Sequence, residues 1–185
     1  FTASPLVICL GNTISFTDTS LGNPTSWNWD FGDGNSSTAQ NPTHNYASAG
    51  NYNVKLIVSD GVNSDSISKT GYVTINGPPT ANAGSDVDIC SGSSVTLNAN
   101  GGVTYSWSPI TNLSASNINN PVADPTSSKT YTVTVTDGNG CTDTDKVSVN
   151  VFSNPTIDLA ENHPFSVGNT ISLNPNINGS FSDSW

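Results

Sequence analysis

Three cysteines, two histidines and fourteen acidic residues are the side chains of this chain best suited to chemistry. The thiols are Cys9, Cys90 and Cys141, an odd number that allows one bridge and leaves one sulfur over. No histidine or further thiol lies near any of them in sequence, so a structural metal site is a poor rival to a disulfide. His44 and His163 each stand alone among neutral polar residues. Glycosidase-type acid chemistry needs paired carboxylates in an enclosed cleft, and the single glutamate is Glu161, in a linker-like stretch. No Gly-x-Ser-x-Gly elbow, His-Glu-x-x-His helix or phosphate-binding loop occurs. Asp30 and Asp33 lie three apart around a glycine turn, and Asp60 precedes another glycine. These are hard oxygen ligands of the kind calcium takes, and equally ordinary turn formers. No catalytic residues and no cofactor are expected, with calcium the one candidate ion.

The elements that position these groups must be strands. The chain has 185 residues, among them 28 Ser, 22 Thr and 25 Asn, and only 10% are charged. Thr favours strands, while Asn and Ser compete with helices by bonding nearby backbone and favour turns. The four basic residues are all lysines (Lys55, Lys69, Lys129 and Lys146) against fourteen acidic ones, for a net charge of −10. Nucleic-acid partners, which need cations to displace phosphate counterions, are therefore not expected. Direct membrane insertion is not expected either, since no run approaches the roughly 20 apolar residues of a spanning helix. With no basic-then-apolar leader at Phe1, the chain reads as a mature or internal fragment.

A repeat of about 80 residues organises the sequence. Cys9-Leu10-Gly11-Asn12-Thr13-Ile14 returns as Cys90-Ser91-Gly92-Ser93-Ser94-Val95, and again without cysteine as Val167-Gly168-Asn169-Thr170-Ile171. Trp27-Asn28-Trp29 returns as Tyr105-Ser106-Trp107, Tyr52-Asn53-Val54 as Tyr131-Thr132-Val133, and Asp60-Gly61 as Asp137-Gly138. Within each copy apolar residues alternate: Ile14 and Phe16; Trp27, Trp29 and Phe31; Val54, Leu56 and Val58; Tyr131, Val133 and Val135. Period two with polar residues between marks half-buried antiparallel strands. Short strands at regular spacing, broken by Gly, Asn and Pro, predict β-sandwiches of about seven strands, each plugged by a tryptophan. The expected units are 1–77, 78–153 and the opening of a third over 154–185. Prolines at both boundaries favour extended backbone, which predicts a semi-rigid rod.

Residues 1–76 resemble the PKD (polycystic kidney disease) domain, an immunoglobulin-like sandwich. The resemblance rests on Trp29-Asp30-Phe31-Gly32-Asp33-Gly34, then Pro42, His44 and Tyr46, then Gly50, Tyr52, Val54, Leu56, Val58 and Asp60. Residues 81–151 lack the Asp-Phe-Gly-Asp-Gly element and have Trp107-Ser108-Pro109-Ile110 instead. They are similar to PKD-related repeats of long surface adhesins in gliding bacteria, proteins exported by type IX secretion. That likeness implies a disulfide between Cys90 and Cys141 across the second sandwich, limiting its extension under load. Cys9 occupies the Cys90 position of the first copy, but Ser64 aligns with Cys141, leaving Cys9 buried and unpaired or bonded outside the fragment. The PKD likeness implies a structural hydrogen bond for His44, and a calcium site at Asp30, Asp33 or Asp60 in line with some members. The function implied is a non-catalytic stalk of an extracellular, cell-surface adhesin, with neighbouring repeats as partners and extracellular glycans or surface proteins as further ones. The alternatives are an accessory module of a secreted polysaccharide hydrolase or protease, and a self-assembling fibre.

Overall fold

A computed structural model describes residues 1–155, and all regular structure among them is strand. The expected third repeat, with Glu161 and His163, lies outside the described residues. In the first unit the strands are β1 (Thr2–Ser4), β2 (Val7–Cys9), β3 (Ile14–Thr17), β4 (Ser26–Asp30), β5 (Ser36–Ser37), β6 (Thr43–His44), β7 (Gly50–Ser59) and β8 (Ser64–Asn76). They form a three-stranded sheet, β1-β3-β6, and a five-stranded sheet, β2-β8-β7-β4-β5. The second unit contributes β9 (Val87–Cys90), β10 (Val95–Thr96), β11 (Thr104–Ser108), β12 (Val122–Ala123), β13 (Lys129–Thr136) and β14 (Thr142–Phe152). Its sheets are β10-β12 and β11-β13-β14-β9. The architecture is all-β, with immunoglobulin-like sandwiches in tandem.

The alternating residues become the facing inner surfaces of each sandwich. Ile14, Phe16, Trp29, Phe31, Val54, Leu56, Val73 and Ile75 close one core. Leu97, Ala99, Trp107, Tyr131, Val133, Val135, Val147 and Val149 close the other. Trp29 and Trp107 are fully buried and treated alike: each indole Nε1 donates at 2.9 Å to a loop carbonyl, of Ala39 and Ile118 respectively. A buried indole N–H left unpaired would cost about 1–3 kcal/mol, so each core strand is coupled to one crossing loop.

Two pairings fix the ends of the units. Most ladders are antiparallel, but the short edge strands β2 and β9 run parallel to the last strand of their own unit. Cys9 stands opposite Asn76 at the close of β8, and Cys90 stands opposite Phe152 at the close of β14. Both cysteines therefore sit where the chain leaves their unit. Cys141, in contrast, sits in the β13–β14 turn, next to Thr142, which pairs with Thr136. That turn is at the end where the chain enters the second unit.

Candidate functional site

The glycine-rich turn after β4 is built as a scaffold for aromatic packing. Asp30 Oδ1 accepts from the Gly32 amide at 2.9 Å, and Asp33 Oδ1 from the Asn35 amide at 3.0 Å. Gly32 has φ +81°, and a Cβ there would run into the Asn53 carbonyl oxygen of β7, so only glycine fits. Asp33 Oδ2 meets His44 Nε2 at 2.8 Å. The imidazole lies flat on Phe31 at 4.1 Å and meets the edge of Tyr46 at 4.7 Å. Tyr46 in turn donates to the Phe31 carbonyl at 3.1 Å and packs on Tyr52. Partial burial would raise the Asp33 pKa, but hydrogen bonds from His44 and Asn35 outweigh it and hold the carboxyl below its usual range. Burial, with Asp33 and Asp30 nearby, pushes the Tyr46 phenol well above its usual value. Asp60 is spent on its own turn, accepting from the Val62 and Asn63 amides at 2.8 and 2.7 Å. Among the described residues no three His, Cys, Asp or Glu side chains converge as a metal site.

The second cluster joins the units covalently. Cys9 is bonded to Cys141, with Cα atoms 5.5 Å apart, and Cys90 is an exposed free thiol. The expected Cys90–Cys141 pairing is therefore wrong, and the register gives the reason. Cys90 lies beside Phe152, eleven residues (152 − 141) along β14 from Cys141. At about 3.3 Å per residue that separation is ~36 Å. A sandwich cannot bridge its own two ends. Cys9 is likewise neither unpaired nor bonded outside the chain; its partner is in the next unit.

Local chemistry presents the two sulfurs to each other. The chain after Cys9 turns sharply, with the Asn12 amide donating to the Cys9 carbonyl at 3.2 Å and the Leu10 amide to the Asn76 carbonyl at 2.8 Å. On the other side Asp137 Oδ1 accepts from the Asn139 and Cys141 amides, both at 2.8 Å, and the Asp137 amide donates to the Cys141 carbonyl. By this register the first-unit counterpart of Cys141 is Asn63, whose carbonyl accepts from Asp60, rather than Ser64. The connecting chain is also fixed to the second unit. Ala81 and Ala83 donate to Asp143 and Asp145 at 2.9 and 2.8 Å, and Asn82 bridges Asn100. Backbone hydrogen bonds from Ala83 and Lys146 lower the Asp145 pKa, so the carboxylate that anchors this segment stays ionised. Only Gly77-Pro78-Pro79-Thr80 is left between the pinned segments. A cleft of about 450 Å³ opens beside the bond, lined by Cys9, Leu10, Asn12, Pro78, Gly140, Cys141, Thr142 and Asp143.

Sequence reasoning missed this junction because it paired the cysteines within a repeat. The available signal was that Cys9 and Cys90 are copies of one position, whereas Cys141 has no cysteine counterpart in the first unit. Cys9, at the exit end of the first unit, finds its partner at the entry end of the second.

Residues 6–75 match the family model described as PKD domain. A microbial collagenase of Vibrio alginolyticus is 44% identical over 55 residues, 28% of this chain and 7% of that protein. Collagenase ColQ1 of Bacillus cereus (strain Q1) is 46% identical over 52 residues, 28% of this chain and 5% of that protein. The chain thus spans less than a tenth of the length of these relatives. Among solved structures, the fibronectin(III)-like modules of Clostridium thermocellum CbhA share 16% identity at a TM-score of 0.37, over 89% of this chain and all of theirs. The Trp29–Gly34 turn, its His44 and Tyr46 partners and the family match over the same stretch identify the first unit, residues 6–75, as a PKD domain.

Proposed function

We propose that the two units are a non-catalytic, extracellular spacer, accessory to a secreted protease of the collagenase type, and that the junction disulfide sets the direction in which the attached domain is held. The observation that carries this is the Cys9–Cys141 bond. It gives the junction a second covalent connection beside Gly77-Pro78-Pro79-Thr80, so the units cannot swivel freely about one strand of backbone. The disulfide supports an oxidising compartment, outside the cytosol, for this spacer. The likeness of the first unit to segments of bacterial collagenases supports the accessory role over other carriers.

The test uses the full-length protein. Deleting residues 1–155 is expected to leave hydrolysis of a short soluble peptide unchanged and to slow attack on insoluble collagen several-fold, with the Cys9→Ser/Cys141→Ser double variant falling between. Equal rates on fibrous substrate with and without the two units would sink the accessory reading. The second reading, a stalk of a cell-surface adhesin, is favoured by the repetition itself, which returns a third time at Val167–Leu173. A full-length sequence made of many such repeats and no protease domain would decide for it, and the disulfide would serve the same mechanical purpose there.

A further inference from the structure

Cys90 repeats the strand position and the closing turn of Cys9, but it is an exposed free thiol. Cys9 faces Asn76 at the last pair of a parallel ladder, and Cys90 faces Phe152 in the same way. Beyond Cys9, the Leu10 amide donates to the Asn76 carbonyl at 2.8 Å; beyond Cys90, the Ser91 amide donates to the Phe152 carbonyl at 2.8 Å. The closing turn is also repeated, Asn12 to Cys9 at 3.2 Å and Ser93 to Cys90 at 3.0 Å. The connection that follows keeps its length. Pro79 comes three residues after Asn76 (79 − 76), and Pro155 three after Phe152 (155 − 152). Thirteen residues then separate Pro79 from Gly92 (92 − 79) and Pro155 from Gly168 (168 − 155). The sequence spacing from this junction into the next copy is therefore the same as that across the junction where Cys141 stands beside Cys9.

We propose that Cys90 is the same staple one junction further on: it forms a disulfide with a cysteine on the hairpin of a following unit that corresponds to the β13–β14 turn. The bonded copy, Cys9–Cys141, is the observation that gives the exposed thiol a partner. Forming the bond removes one proton and one electron from each thiol. The acceptor is the disulfide of a thiol oxidoreductase in the export compartment, reduced to a dithiol through a mixed disulfide. Because Cys90 lies inside the 9–141 loop, successive staples overlap, and no junction in the series depends on backbone alone. The inference extends the stapled-spacer reading above and holds whichever extracellular protein carries the array.

Peptide mapping of the full-length protein tests it. The protein is purified without reductant, alkylated with iodoacetamide, digested, and examined by mass spectrometry before and after reduction. The expected result is a Cys90 peptide crosslinked to a cysteine of the following unit's hairpin, with Cys9–Cys141 present as internal reference. A monomer on a non-reducing gel assigns the partner to the same chain, and a dimer or ladder assigns it to a neighbouring molecule packed end to end; either bears out the proposal. Carbamidomethylated Cys90, a bond to any other site, or a following unit with no cysteine in that hairpin overturns it. If Cys9–Cys141 is intact in that case, the spacer reading stands; if Cys9 too is alkylated, both fail.

Discussion

At the scale of single residues, the first unit ties its loops down through carboxylates. Asp18 accepts from the Ser20 amide and from the Trp27 indole, both at 2.8 Å, and from Gln40 at 3.3 Å. Burial opposes ionisation there, but these hydrogen bonds prevail and lower its pKa to about 2. Asp33 is shifted the same way by His44 and Asn35. A carboxyl whose folded pKa lies below its unfolded value stabilises the fold fully above the unfolded value of 3.8 and loses that contribution as pH falls toward the folded one. The thermal midpoint is therefore expected to hold from neutral pH down to about pH 4 and to drop between there and about pH 2. Asp18→Asn should lower the midpoint at pH 7 and flatten the acid slope. Calorimetry showing an unchanged slope in the variant would remove Asp18 from this account. His44 is the side chain that meets Asp33, at 2.8 Å.

At the scale of elements, the β13–β14 hairpin decides whether the junction can form. Asp137 organises its turn by two backbone hydrogen bonds, one of them to Cys141 itself. Asp137→Ala should destabilise the second unit by about 1 kcal/mol, the usual worth of such a bond near the surface. It should also slow oxidation of Cys9 with Cys141, since the sulfur would no longer be held in one place. Refolding followed by thiol quenching measures this, and an unchanged oxidation rate would show that the turn is set by the ladder alone. The long strands β7 and β13 were legible because each repeats its apolar residues at period two over several positions, Tyr52, Val54, Leu56 and Val58 in one and Tyr131, Val133 and Val135 in the other. The two-residue strands β5, β6, β10 and β12 were not, since so short a pairing leaves no period to read. Neither was the parallel docking of β2 and β9, which depends on which edge is free and on no local pattern. That docking is what sends Cys9 and Cys90 to the exit ends, so an error about register became an error about chemistry. The PKD turn, by contrast, was legible as a motif because its glycines and carboxylates fall in one unbroken run, although Gly32 answers to Asn53 and Asp33 to His44.

At the scale of the whole molecule, the corrected disulfide changes how the chain bears load. A bond within the second unit would shorten only that unit's extension. The observed bond spans 132 residues and encloses the linker and most of both sandwiches. Force applied at residues 1 and 155 therefore crosses from Cys9 to Cys141 through sulfur and never reaches the enclosed backbone. At ~3.4 Å per extended residue, roughly 450 Å of contour is withheld while the bond is intact. Single-molecule pulling from these two positions should give, in oxidising buffer, only the short release of the segments outside the bond. In reducing buffer the same molecule should show two further unfolding steps, one per sandwich, together recovering the withheld length. The two core clusters share no residue, which is why two steps and not one are expected. Full-length release in oxidising buffer would mean that the sulfur bridge does not carry the load between the units.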